Sequence, residues 1–374
     1  MAHVMTPRKR AGLSARRIQS IVRSTIFALG MWAAVGAGAA EPRRFEFAET
    51  HMGSTFQLIL YTDDAALASR ASRAAFARIA QLDRSFSDYD AESELSKLCD
   101  RAGGPAVVVS EELFDILSRA KAMAERTGGA LDPTIAPVGR LWRRARRERK
   151  LPDPELLAKA RKLVGYERLL LDPATRSVRL RDPGMRLDLG AIGKGYAAQA
   201  ALDVLRREGV PIALVGGAGD IVVGDAPPGS RGWRVDIAPL ENPSTANPER
   251  TLRLANVAIS TSGDAERYVE IDGVRYSHIL DPRSGGLSLT QRMSTTVVAR
   301  DGATADALDT AVCVLGVEPG IALVESTPGA SCYLVRGVGA ERRVAVSRGF
   351  PDDSSEASDP PARDALEKSP NRTQ

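Results

Sequence analysis

The chain has 374 residues, 43% hydrophobic and 5% aromatic, enough for a large core in one domain or two closely merged ones. Its formal net charge is +4, from 51 basic against 47 acidic residues. Six of the basic residues and no acidic one lie in residues 1–40; without them 45 face 47, so the basicity belongs to that segment and no nucleic-acid partner is indicated.

Arg8, Lys9, Arg10, Arg16, Arg17 and Arg23 make a charged start, an apolar run follows from Ile26 to Val35, and Ala37-Gly38-Ala39-Ala40 ends it in small residues. That is the pattern of a secretory signal peptide over 1–40, cleaved after Ala39 or Ala40, with an apolar run short for a membrane span. An exported, periplasmic protein is expected, an uncleaved N-terminal anchor being the alternative. The flanks of Arg16-Arg17 match a twin-arginine signal poorly. The three cysteines, Cys99, Cys313 and Cys332, are too widely spaced for a disulfide framework or a zinc site, and Cys313 reads as core.

Arg44–Tyr61 alternates Phe45, Phe47, Phe56, Leu58 and Leu60 as strands do, with His51-Met52-Gly53 at the turn between its halves. Amphipathic helices are expected over Ala65–Leu82 and Glu111–Thr127, the second stopped by Gly128-Gly129, and a shorter one over Pro152–Val164. Asp83–Asp90 reads as a polar loop, and the basic run Arg140–Lys150 as a solvated helix end or loop. Leu169–Leu171 and Val178–Leu180 form a hairpin around Asp172-Pro173. Met185–Leu189 alternates like a strand and leads through Gly190, Gly193 and Gly195 into a helix that Gly209 and Pro211 stop. Ile212–Val215 and Ile221–Val223 flank a glycine turn. Strands over Trp233–Ile237, Val257–Thr261, Tyr268–Ile271 and Ser294–Ala299 precede a helix beginning near Thr304. Strands and helices mixed without strict alternation point to an α+β class. From Pro351 the chain is Pro-, Ser- and charge-rich and reads as a disordered tail, leaving a catalytic domain over 41–350.

Two stretches carry chemistry by themselves. Arg186–Ala198 places Asp188, a glycine-rich turn and Lys194 at the mouth of a helix, where unpaired N–H groups suit a phosphate. Ala303–Thr310 offers Asp306, Asp309 and Thr310 within little more than one helical turn, hard oxygen donors of the kind Mg²⁺ shares with phosphates. The bland alternatives are a tight turn with a solvated lysine and an acidic helix start.

These stretches keep company with His51-Met52-Gly53-Ser54-Thr55, Gly129-Ala130-Leu131-Asp132-Pro133-Thr134, Thr261-Ser262-Gly263-Asp264 and Tyr276-Ser277-His278-Ile279-Leu280-Asp281-Pro282-Arg283. In this order the set resembles the ApbE family of FAD:protein FMN transferases, from about His51 to about Val346. The resemblance implies mixed sheets with flanking helices, a T-fold-like arrangement, and a flavin site in a cleft between lobes. It implies a metal, Mg²⁺, held by Asp306, Thr310 and the Ala191 carbonyl with Asp309 contributing. It also implies FAD as substrate, contacted by Met52, Tyr89, Ala130, Leu131, Asp132, Asp188, Lys194 and Ile279. Lys194 would hold the diphosphate and His278 act as general base, oriented by Asp281. The implied reaction attaches FMN to a Thr or Ser hydroxyl of an exported redox protein, releasing AMP; a membrane-associated acceptor is one possibility. FAD hydrolysis to FMN and AMP, or flavin binding without turnover, are the alternatives. Three positions depart from the family pattern: Gly216-Gly217-Ala218-Gly219-Asp220 lacks the usual Asn, Ala265 replaces an aromatic, and Ser284-Gly285-Gly286-Leu287 lacks a proline.

Overall fold

Phe56, Leu58 and Leu60 are fully buried while Thr55 and Gln57 beside them face solvent, and this period-two pattern fixes the face that the second strand turns to the core. The computed structural model describes residues 42–241, 247–264, 268–287 and 292–351. The expected signal peptide and all but the first residue of the expected tail lie outside the described residues, as does Ala265.

The main sheet has eight strands: β1 Arg43–His51, β2 Ser54–Thr62, β3 Ala213–Gly217, β4 Asp220–Val223, β5 Val257–Gly263, β6 Met293–Ala299, β7 Ser331–Arg336 and β8 Arg343–Val346. Their spatial order is their chain order and every neighbouring pair is antiparallel. Everything else is inserted between consecutive strands of this meander. The β2–β3 excursion carries helices α1 Ala65–Phe86, α2 Glu94–Cys99, α3 Glu111–Arg126, α4 Ala136–Glu148, α5 Pro154–Arg161 and α6 Gly193–Arg207; β6–β7 carries α7 Gly302–Leu315 and α8 Val317–Glu325.

One large core lies between the sheet and helices α1, α6 and α7, joining Leu58, Ile79, Leu202, Val215, Val297 and Leu308. A second core lies on another part of the sheet, where the pair Trp233–Ile237 and Arg250–Leu254 packs Trp233, Val235, Leu252 and Leu254 against Val223, Ile259 and Val298. The short strands Leu169–Asp172 and Ser177–Leu180 pair as the sequence suggests. The cysteines are buried thiols.

Two sequence expectations give way. Met185–Leu189 is not a strand: its one ladder contact is a parallel bridge from Arg186 to Ile135, and Asp188 N–H donates to Pro133 O at 2.8 Å. Arg140–Lys150 is not merely a solvated end. It forms most of α4, which buries Val138, Trp142 and Ala145 on one face and packs against α5. Seven basic residues in eleven hid an apolar stripe at helical spacing.

Candidate active site

Ile192 precedes α6 and offers no side-chain cap. The cap comes from another helix: Asp306 Oδ2 on α7 accepts from Gly195 N–H at 2.9 Å. The two helices can approach this closely because Gly195 and Gly302 face one another, where a Cβ on either would run into the other's carbonyl oxygen. On α7, Asp301 caps the start by accepting from Thr304 N–H at 3.0 Å, and Asp306, Asp309 and Thr310 share a face by their spacing.

The β3–β4 hairpin brings the third carboxylate. Ala218 and Gly219 occupy its two-residue turn with φ of 54° and 102°, the left-handed values such a turn needs, so the altered Gly216–Ala218 segment still delivers Asp220. Asp220 pairs across the sheet with Ser260 of β5. Ser260 Oγ lies 2.5 Å from Asp220 Oδ1 and 2.6 Å from Asp309 Oδ2. Lys194 Nζ is 3.0 Å from Asp220 Oδ2 and 3.6 Å from Asp306 Oδ2, and donates to Gly190 O at 3.4 Å. Thr310 Oγ1 is 3.2 Å from Asp309 Oδ1 and 3.3 Å from Ser262 Oγ. Asp220, which the sequence reading left unassigned, is thus the lysine's nearest partner. Only its place at the end of a glycine turn, just before buried Val222, could have signalled it.

The electrostatics follow from the count. Buried Asp220 and Asp306 flank one ammonium and buried Asp309 joins them through Ser260, so carboxyl groups outnumber cations three to one. Burial, then the Asp220 charge, pushes the Asp306 carboxyl up to about 7 against the pull of Lys194 and Gly195 N–H. Burial, then Asp306 and Asp220, holds Asp309 well above the ordinary carboxylate range. Burial would lower Lys194, but the Asp306 and Asp220 carboxylates outweigh it and keep the ammonium charged. A serine hydroxyl has one proton to donate, so Ser260 satisfies both neighbours when Asp309 carries a proton of its own. Among the described residues no three His, Cys, Asp or Glu side chains converge as a metal cluster. What the cluster does offer is hard oxygen: the Asp306 and Asp309 carboxylates with the Thr310 hydroxyl 3.2 Å from Asp309 Oδ1. Hard oxygens with surplus negative charge suit a divalent cation such as Mg²⁺.

A second cluster sits on α4. Arg143 donates to Asp88 Oδ2 at 2.6 Å and to Asp188 Oδ2 at 3.3 Å, and its guanidinium lies 4.7 Å from the centre of the Tyr89 ring. Asp188 Oδ1 accepts from Gly190 N–H at 2.8 Å, tightening the turn before α6. Gly139, one turn before Arg143, lies close to Asp188 and Leu280, within ordinary contact of where a Cβ would stand. Trp142 packs its ring 5.9 Å from that of Tyr276 and donates from Nε1 to Gly285 O at 3.1 Å. One helix therefore ties the Asp188 turn to the segment that carries His278.

His278 is half-buried between buried Ser277 and Ile279, with Ile279 N–H donating to Ser277 Oγ at 3.1 Å. Asp281, three residues on, accepts from Arg283 Nε and Nη2 at 2.9 and 3.0 Å. Ala130 and Leu131 are buried in the main core. Asp132 is bound internally: Oδ1 accepts from Thr134 N–H and Oγ1–H at 2.8 and 2.7 Å, and Oδ2 from Tyr166 N–H at 2.9 Å. A cavity of about 540 Å³ opens beside it, lined by Gly129, Tyr166, Arg161 and Arg283 among others. Met52, at φ 49°, donates its N–H to Asp83 Oδ2 at 2.8 Å and packs partly on the core.

The model of the ApbE family matches residues 52–334. The FAD:protein FMN transferase of Klebsiella pneumoniae (strain 342) is 34% identical over 76% of this chain and 86% of its own length. That of Treponema pallidum (strain Nichols) is 31% identical over 84% and 90%. Among solved structures, the flavin transferase ApbE from Vibrio cholerae superposes with a TM-score of 0.73 at 26% identity, over 83% of this chain and 98% of that one. The ApbE protein from Thermotoga maritima gives 0.72 at 29% identity, over 82% and 97%. Motifs, meander and match over most of the chain agree: the protein belongs to the ApbE family.

Proposed function

We propose that this transferase cleaves FAD at its diphosphate and passes FMN, through a phosphoester, to a Thr or Ser hydroxyl of an exported acceptor protein, releasing AMP. The observation that carries the reading is the cluster at the mouth of α6, where buried Asp220 and Asp306 flank Lys194 beside a helix N-terminus and buried Asp309 joins them through Ser260. The helix end and Lys194 suit a diphosphate, and the surplus negative charge suits Mg²⁺. The names of the curated relatives support the same reaction.

Asp306, Thr310 and the Ala191 main chain, with Asp309 beside them, would hold Mg²⁺, which when bound neutralises diphosphate oxygens and eases attack at phosphorus. Lys194, held by Asp220, keeps a fixed positive charge for the diphosphate. His278 takes the proton of the acceptor hydroxyl as that oxygen bonds to the FMN phosphorus. The bond from that phosphorus to the bridging oxygen breaks, and the oxygen leaves with AMP. Tyr89 and Asp188, joined through Arg143, flank the nucleotide. The N-terminal segment supports export to the periplasm, where redox proteins, membrane-associated ones included, would serve as acceptors.

The test incubates the protein with FAD, Mg²⁺ and a candidate exported redox subunit, and follows both products by mass spectrometry. Covalent FMN on the subunit with stoichiometric AMP is expected. AMP and free FMN without an adduct would make the enzyme a hydrolase, and no AMP at all would leave only flavin binding.

A further inference from the structure

We propose that Arg143 is a positioning residue of the FAD site, fixing the Tyr89 ring and the Asp188 carboxylate as one unit; the assignment rests on the FAD-cleaving reading above. Arg143 belongs to a basic run that sequence alone assigns to solvent, yet its side chain is only 22% exposed. Its guanidinium reaches Asp88 at 2.6 Å, Asp188 at 3.3 Å and the Tyr89 hydroxyl at 3.2 Å. Tyr89 itself is 77% exposed, so little besides this cation, 4.7 Å from its ring centre, holds the ring in place. Burial, then the charge of Asp188, raises the Asp88 carboxyl, and Arg143 is the counter-charge between the two.

A planar fork suits this task better than an ammonium. Arginine can bridge two carboxylates while stacking on an aromatic face; lysine offers one point charge on a flexible stem. With one face of Tyr89 covered by the guanidinium, the other is left for an aromatic ring of FAD. Holding ring and carboxylate before FAD arrives removes part of the ordering cost of binding.

The test measures FAD affinity by flavin fluorescence, and KM and kcat by AMP release, for the full chain and four variants. These are Arg143→Ala, Arg143→Lys, Tyr89→Leu and the Arg143→Ala/Tyr89→Leu pair. Each single alanine or leucine change should raise Kd and KM for FAD about tenfold, with kcat altered less than about threefold. The double variant should be no worse than either single one, because the two groups act together. Arg143→Lys should stay within about threefold of Arg143→Ala. Unchanged affinity in Arg143→Ala, multiplicative effects in the double variant, full rescue by lysine, or parallel losses in kcat would each overturn the proposal. Failure of the unmodified protein to bind FAD would instead overturn the underlying reading. Weakened binding in Tyr89→Leu but not in Arg143→Ala would sink this inference alone.

Discussion

In the proposed reaction His278 and Lys194 act at different moments, and that difference is measurable. A general base works only as the acceptor oxygen attacks, so His278→Ala should slow FMN attachment by about 10²–10⁴-fold while FAD affinity changes far less. On that proposal Lys194 meets the ground-state diphosphate too, and Lys194→Ala should weaken both affinity and rate. Its removal also leaves Asp220 and Asp306 facing each other without the intervening cation. Parallel losses of affinity and rate in His278→Ala would make the histidine a binding or structural residue. Asp132 belongs to a different category. Its carboxylate accepts from Thr134 N–H and Oγ1–H and from Tyr166 N–H, bracketing the Gly129–Thr134 segment against the start of the next one. In Asp132→Asn one of those donors must face an amide NH₂. The cost should be about 1–3 kcal/mol in chemical denaturation. A variant as stable as the original protein would show that the bracket relaxes freely.

At the scale of elements, the site depends on how closely α6 and α7 can approach. Gly195→Ala would place a methyl against the Gly302 carbonyl and the Asp306 Cβ. Separating the helices should destabilise the protein by about 1–3 kcal/mol. It should also lengthen the Asp306 cap on Gly195 N–H, so activity should fall beyond what the loss of folded protein explains. Unchanged thermal stability and turnover would mean the crossing has slack. The contrast between what sequence revealed and what it concealed is sharpest here. Asp306, Asp309 and Thr310 were legible together because three and four residues along a helix are neighbours by geometry. The helices around them were legible from apolar periodicity. Asp220 was not, because its nearness to Ser260 depends on strand register, and its nearness to Lys194 on how α6 lies against the sheet. Arg143 was masked by its own surroundings, a run so basic that its apolar stripe of Val138, Trp142 and Ala145 went unread. Met185–Leu189 alternates like a strand but spends its backbone groups on the Pro133 carbonyl and the turn before α6.

For the molecule as a whole, the carboxyl groups of the acidic cluster are buried between sheet and helices, so their protonation is coupled to global unfolding. In the unfolded chain Asp306 ionises near 3.8, and in the fold at about 7; Asp309 is raised as well. The folded protein therefore binds more protons than the unfolded chain between those values. This contribution is full below about 4 and is lost as pH rises toward 7. For Asp306 alone it is on the order of 4 kcal/mol, less to the extent that the cluster relaxes. Lys194, raised above its ordinary value by Asp306 and Asp220, stabilises throughout this interval and loses its contribution only at strongly alkaline pH. Glu112 runs the other way: its own main-chain N–H and Arg78 lower its carboxyl, so its contribution is present above the ordinary value and is lost on acidification. A divalent cation needs the cluster carboxylates deprotonated, and its binding should release protons and strengthen as pH rises. Thermal unfolding of metal-free protein from pH 5 to pH 8 should thus show falling stability. Added Mg²⁺ should restore it by an increment that widens over the same interval, as binding to the folded state alone requires. Asp306→Asn should flatten both trends, since the amide neither titrates nor attracts the cation as a carboxylate does. A Mg²⁺ increment that is absent, or that stays the same at pH 5 and pH 8 and survives in Asp306→Asn, would remove the cluster as the metal site.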